Sequence, residues 1–300
     1  MIMFTPIDLS QLPAPTVIKQ MPYDTLFAEM KSEAIRLMPD LKPFLALESE
    51  PVAQLLRVCA YVRHRDRMEF NDQARATMLA YATGSDLDQL AALWGVKRQV
   101  VQKADESVSP PIEQILETDA RLRQRVQLSL EGHTSAGSIG AYSFHALSAD
   151  AKVKDVSVTS PRAGEVLVSV LSKDSNGQAD NTLLSAVQTA LNADSVRPLC
   201  DRVTVKSATI ITYQIDATLT LANGPDRATV LAAARKATQT YIAAQHKIGH
   251  DVTISGLHAA LHQSGVHKVV FASPTADIAV NVTSAAYCAP DAFKISVGGS

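Results

Sequence analysis

Ile211-Thr212-Tyr213-Gln214-Ile215-Asp216-Ala217-Thr218-Leu219-Thr220-Leu221 alternates without a break. Ile211, Tyr213, Ile215, Ala217, Leu219 and Leu221 share one face, and Thr212, Gln214, Asp216, Thr218 and Thr220 share the other. A period of two held this long predicts an extended strand with one buried face. Asn223-Gly224-Pro225 ends it, and an alanine-rich helix follows over Asp226–Gln245. Ser255 is the expected N-cap of a short helix running to Gln263, with Gly265 behind it. Strands are expected at Val266–Ala272, Ile278–Val282 and Phe293–Val297.

Upstream, the same period governs everything from residue 151. Lys152–Ser157 and Glu165–Leu171 read as strands around a Ser160-Pro161-Arg162-Ala163-Gly164 turn, and Asn176-Gly177 marks a second turn. Thr182–Ala193 reads as a helix capped by Asn181, and Arg202–Ser207 as a strand. The order β-β-α-β and then β-α-α-β-β is that of two small α+β sandwiches.

Before residue 150 the period is helical. Pro6, Pro13, Pro15 and Pro22 forbid long helices and favour an extended arm, lying on this chain or on a partner. A helix is expected over residues 24–38, with Asp24 as N-cap and Pro39 ending it. Residues 50–82 read as one long helix or two joined ones, with Pro51 in the first turn. Val52, Leu55, Cys59 and Val62 recur at helical spacing, and Phe70, Ala74, Met78 and Tyr81 resume the stripe. Arg63, His64, Arg65, Asp66 and Arg67 interrupt it, as a solvated turn of helix or as a charged seam for an acidic partner.

The segment Ala82–Arg98 is a short helix with both ends marked. Ser85 is the expected N-cap, and Asp86 and Asp88 sit at the positive end of the helix dipole. Leu87, Leu90, Ala91 and Trp94 form its apolar stripe, and Gly95 occupies the place of a left-handed C′ residue. Val100–Pro111 reads as a polar linker. Thr118 caps a helix to Glu131, and Ser135–Leu147 is a further helix whose Gly137 and Gly140 imply close packing against another backbone. The expected class is therefore α+β and multi-module: an N-terminal arm and helical domain (1–109), helices with a first sandwich (110–207), and a second sandwich (208–300).

Composition bounds the function. Hydrophobic residues make up 46%, ample for buried cores, and the formal net charge is -2 from 28 basic and 30 acidic residues. That balance lacks the basic excess of a general nucleic-acid binder. The N-terminus lacks the pattern of a signal peptide, and no apolar run approaches the ~20 residues of a membrane span, so a soluble chain is expected. Cys59, Cys200 and Cys288 lie far apart without zinc spacing and are expected as buried free thiols of a reducing cytoplasm.

Catalytic signatures are sparse. His246, His250, His258, His262 and His267 cluster, and His258 and His262 stand i, i+4 on an expected helix. Position 259 is Ala259, so the general base of an HExxH zinc site is missing, and neither a metal nor a cofactor is assigned. Gly84-Ser85 and Gly137-Ser138 punctuate helix starts and are not nucleophile elbows. Asp86 and Asp88, at i and i+2, do not face each other. Arg121, Arg123 and Arg125 are expected to point apart, toward solvent or nearby acids. A metal-dependent enzyme using the histidines and a nucleic-acid adaptor using Arg57, Arg63, Arg65 and Arg67 remain alternatives. The leading candidates are apolar: Val52, Leu55, Cys59, Val62, Phe70, Met78, Leu87, Leu90 and Trp94, in helices without strand partners of their own. Such stripes either pack an ordinary core or bury against another chain.

Thr83-Gly84-Ser85-Asp86-Leu87-Asp88, then Leu90-Ala91 and Gly95-Val96-x-Arg98, resemble the signature of baseplate J-like proteins of contractile-tailed phages and related injection devices. Glu117-Thr118-Asp119, Ala136-Gly137-Ser138, Tyr142–Ala149, Val156–Val166, Val196-Arg197-Pro198-Leu199 with Asp201 and Val203, and Gly265-Val266 with Ser273-Pro274 and Asp277 continue the likeness in order. The resemblance implies a non-enzymatic baseplate wedge subunit, with no catalytic residue to carry over. It implies two copies paired in each wedge, a sixfold ring around the central spike, and binding to a smaller wedge protein of the adjacent gene. Contacts with hub and sheath-proximal proteins are implied, and none with a membrane or a specific nucleic acid. The implied location is the virion tail baseplate, assembled in the bacterial host cytoplasm, in a phage or a domesticated particle.

Overall fold

Pro13, Pro15 and Pro22 keep the described part of the arm out of α-helix. In the computed structural model, which describes residues 7–17, 19–134, 137–222 and 226–298, only a 3-10 turn at Leu9–Gln11 precedes residue 22. Backbone oxygens of this arm are taken up by its own chain. Lys19 O accepts from Arg67 Nη2 at 3.0 Å, Met21 O from His64 Nδ1 at 3.2 Å, and Leu12 O from the Tyr81 hydroxyl. Leu12, Lys19 and Met21 of the arm are thus held by this chain.

Helix α1 spans Tyr23–Leu37, with Pro22 at the N-cap and Asp24 inside the first turn, not capping it. Pro51 opens α2, a single helix over Pro51–Ala76 about 39 Å long at 1.5 Å per residue. It stops short of Met78 and Tyr81, which lie in the following turn. Helix α3 spans Gly84–Leu93. Its entry differs from the sequence expectation: Thr83 holds the N-cap position without a side-chain bond, and Gly84 turns in at φ +53 with its N–H on Asp119 Oδ2 at 3.1 Å. Its exit is as expected. Gly95, at φ +69, donates to Ala92 O, and Val96 donates to Ala91 O, each at 3.0 Å. These are the paired bonds of a Schellman ending, and Val96 is buried beside them.

The stretch expected as a polar linker instead forms an antiparallel ribbon of β1 (Val100–Gln102) and β2 (Ile115–Leu116), extended by a bridge between Asp105 and Ile112. Two helices follow, α4 (Asp119–Gly132) and α5 (Ile139–Ala149), the latter capped by Ser138 Oγ on the Ala141 N–H at 3.1 Å. Gly137 precedes α5 at φ +68 and backs onto Pro198 and Asp201. Gly140 lies against the Glu131 side chain, so the close packing expected there is against a side chain and not a backbone.

The first sandwich contains β3 (Val153–Thr159), β4 (Glu165–Ser172), α6 (Asn181–Leu191) and β5 (Arg202–Ser207). Strand order is β3-β4-β5, with β3 antiparallel and β5 parallel to β4. Valines 153, 158, 168, 170 and 203 face Tyr142, Ala146 and Leu147 of α5 and Leu183, Val187 and Leu191 of α6. The α6 N-cap is Asp180, one residue before the expected Asn181, with Oδ1 on the Leu183 N–H at 2.8 Å.

The second sandwich contains β6 (Thr209–Leu221), α7 (Arg227–Gln245), α8 (Ile254–Leu261), β7 (Val266–Ser273) and β8 (Ser284–Val297). The alternating segment is the central strand, in the order β7-β6-β8, antiparallel to β7 and parallel to β8. Ile215, Ala217 and Leu219 are fully buried, while Thr212, Gln214 and Asp216 are exposed. Thr253 caps α8 through Oγ1 on the Gly256 N–H at 3.1 Å, and Ser255 is already inside the helix. The end of the chain departs from expectation. Ile278–Val282 forms no strand and keeps only the bridge from Ile278 to Val252, whereas β8 is one long strand. The Asn223-Gly224-Pro225 turn and the Ser135 helix start lie outside the described residues.

The fold is thus α+β, N-terminal helices followed by two sheet modules. Two compact units are distinguished. One holds Thr5–Lys97 with Asp119–Arg123, and the other holds Arg98–Thr118 and Gln124–Ser300, including both sandwiches.

Candidate functional site

The apolar candidates separate into two groups. Ala53, Ala60 and Asn71 mark the side of α2 that is buried within its own unit. The stripe prominent in the sequence lies on the other side: Leu55 is 64% exposed, Val62 38%, and Cys59 is exposed between them, with Val52 half-buried. Val58 and Tyr61, each 59% exposed, widen this face. Phe70 is 48% exposed, and Met78 is half-buried. On α3, Leu87 is fully buried and belongs to the unit's own core. Leu90 lines a shallow groove with Leu93, Gln73 and Ala76, and Trp94 is 43% exposed beside it.

Of the α4 arginines expected to meet solvent or nearby acids, Arg125 meets an acid, and none of Arg121, Arg123 and Arg125 is turned fully to water. Arg121 and Arg125 are buried. Arg125 Nη1 lies 2.7 Å from Glu117 Oε2, and its Nε donates to Ser148 Oγ at 3.2 Å. Glu117 is itself buried, and its Oε2 accepts the Gln99 N–H at 3.1 Å. Arg123 donates to Leu79 O and Ala82 O, both at 2.7 Å. These side chains hold the fold together; the sequence allowed a nearby acid, and the fold supplies it as Glu117.

On α2, Arg57, Arg65 and Arg67 are also engaged, and Arg63 is exposed. Arg57 pairs with Glu48 at 2.8 Å and lies over the Phe27 ring, Arg65 faces Glu69 at 3.4 Å, and Arg67 holds the arm.

The histidines do not converge. Among the described residues no three His, Cys, Asp or Glu side chains are placed to hold a metal ion. His258 sets its ring edge against Phe271, with His262 and His267 exposed. His246 stands apart from them, its Nδ1 accepting from Lys154 Nζ at 2.8 Å and its ring 5.4 Å from that of Tyr287. Burial, reinforced by the Lys154 charge, holds His246 down at about 4. Lys154 is lowered too, chiefly by burial. Cys288 is the buried thiol expected, whereas Cys59 and Cys200 are exposed, contrary to expectation. Among the described residues no helix is long and apolar enough to cross a membrane.

Residues 48–105 match the Baseplate J-like N-terminal domain, 134–207 the Baseplate J-like central domain, and 213–289 the Baseplate J-like protein C-terminal domain. "Baseplate protein J" of Escherichia phage P2 is 45% identical over 299 residues, covering 98% of both chains. Among solved structures, a chain of the 6-fold symmetrised cryo-EM structure of the anti-feeding prophage (AFP) baseplate is similar over 63% of this chain and 49% of its own length, at 18% identity and a TM-score of 0.39. With three domains matched in order and a relative of this identity along nearly its whole length, the chain belongs to the baseplate J-like family.

Proposed function

We propose that the chain is a structural component of a contractile tail baseplate or tail-like injection particle, acting through protein–protein contacts and without a catalytic step. The observation that carries this reading is the outward apolar face of α2. A helix that buries one stripe and leaves Leu55, Val58, Cys59 and Val62 in water has a second partner to meet. Family membership supplies the context. In this reading the chain is a wedge subunit, two copies pair in each wedge, and wedges close a ring around the central spike. The smaller wedge protein of the adjacent gene joins the same helices. Its working modules are 1–109, 110–207 and 208–300, and its place is the virion tail baseplate, assembled in the host cytoplasm. Val52, Leu55, Cys59, Val62, Phe70, Met78, Leu90 and Trp94 form the proposed interface, with Leu87 supporting α3 from the core.

The test is light scattering on the chain alone and co-expressed with the adjacent-gene protein. A discrete complex of two copies with one neighbour is expected. Leu55→Glu with Val62→Glu should abolish it while leaving thermal unfolding of the isolated chain unchanged. A monomer that ignores its neighbour, or an intact complex from the double variant, removes the assigned interface.

A further inference from the structure

A cavity of about 260 Å³ opens in the sheet-bearing unit between α7, β8 and β3. Ile242 of α7 and Tyr287, Cys288 and Phe293 of β8 line it, with Lys154 and His246. It exists because β8 breaks register there: Tyr213 pairs with Cys288, but Ile215 pairs with Phe293, so Ala289–Ala292 have no partners on β6. Bulges of this kind re-aim strands beside binding sites. The bulge also contains Pro290, which has no N–H to lose.

The charge inside is incomplete. Lys154 Nζ donates to His246 Nδ1, which must then be the unprotonated nitrogen of a neutral ring. Asp155, the adjacent carboxylate, is turned away: its Oδ2 accepts the Ile248 N–H and its Oδ1 the Val156 N–H, each at 2.9 Å. Asp155 still acts on Lys154 through its charge, opposed by the positive charge of Lys247, but neither carboxylate oxygen reaches the ammonium. Asp291, on the bulge, is exposed and does not line the cavity. Among the described residues no carboxylate pairs with Lys154. A partly buried ammonium in the wall of a largely apolar cavity calls for an anion, because sequestered charges are stable when paired. The volume falls below the ~300–1,000 Å³ typical of cofactor-sized ligands and suits a single amino-acid side chain.

We propose that this cavity binds the C-terminus of a polypeptide, with its last, apolar side chain against Ile242 and Phe293 and its terminal carboxylate on Lys154 Nζ. The site is independent of the α2 face, so it stands or falls apart from the wedge reading. Methyl NMR of Ile242 and Ala243 in the full chain provides the test, with N-acetyl-phenylalanine and its neutral amide as probes. The acid should give saturable shifts with a dissociation constant of about 1 mM, and the amide should bind at least about tenfold more weakly. Lys154→Met keeps the apolar stem and should erase the preference. Ala243→Trp blocks the mouth from an exposed helix position and should abolish binding of both. A tripeptide ending in phenylalanine should bind no more weakly than the single residue. Equal binding of acid and amide, no shift with either, or loss of binding on extension to the tripeptide overturns the assignment.

Discussion

The buried pair of Glu117 and Arg125 offers the sharpest quantitative test of how the sheet-bearing unit is held. At 2.7 Å, with the two side chains 0% and 6% exposed, neither charge is relieved by water when the other is removed. Breaking a buried pair from one side typically costs about 3–5 kcal/mol. A unit of this size loses about 2–4 °C of Tm per kcal/mol, so Arg125→Met should lower its transition by roughly 6–20 °C. Glu117→Gln keeps an oxygen for the Gln99 N–H and removes the charge, whereas Glu117→Leu strips both and should fall further by about 1–3 kcal/mol, the cost of an unsatisfied buried donor. Glu117→Leu with Arg125→Met removes both members of the ion pair together, and the pair should recover at least about 2 kcal/mol relative to the sum of the single losses. Calorimetry with chemical denaturation of the four proteins closes the cycle. Single losses below about 1 kcal/mol, or strict additivity in the double variant, would show that the pair is solvated and would refute the reasoning.

His246 makes stability pH-dependent. Its folded value of about 4 lies below the ~6.5 of an unfolded chain, so the unfolded state binds the extra proton between these values. Stability should therefore fall as pH drops from about 6.5 to about 4, by roughly 1–2 kcal/mol once the screening of a partly exposed ring is counted; a His246→Gln profile should be flatter across that window, and an unchanged profile would count against it. Gly177→Ala should destabilise by about 1–3 kcal/mol in thermal melts, because φ is +98 and the new methyl would lie 2.6 Å from Leu171 Cδ1 and 2.8 Å from His246 Nε2. Gly95→Ala meets no neighbour within 4 Å, so its loss should be conformational alone, about 1–2 kcal/mol. A Gly95→Ala loss equal to that of a buried cavity-forming change would contradict that account.

Local signals determined much of this protein. The period-two run made β6 a long strand with one buried face, because alternation decides which face meets the core; its central place between β7 and β8 came only from tertiary pairing. Gly95 announced the end of α3 because few other residues adopt its backbone angle without cost. The ordered motifs from Thr83 to Asp277 pointed to the family that comparison establishes. Caps slipped by a residue or two, as at Asp180 and Thr253, since neighbouring polar side chains compete for the same N–H groups. Tertiary structure alone decided the rest. A helical stripe says which residues share a side, not whether that side turns inward, so α2 buries Ala53 and Ala60 and presents Leu55 and Val62 to water. Charge spacing on α4 is silent about a carboxylate eight residues earlier that meets Arg125 only when ribbon and helix pack. Five histidines near one another in sequence disperse because they fall at the ends of α7 and α8, within α8 and β7 and in a loop, and the residue that completes His246 is Lys154, 92 positions away. Periodicity is a property of the segment, whereas burial and pairing belong to the neighbours that the fold brings to it.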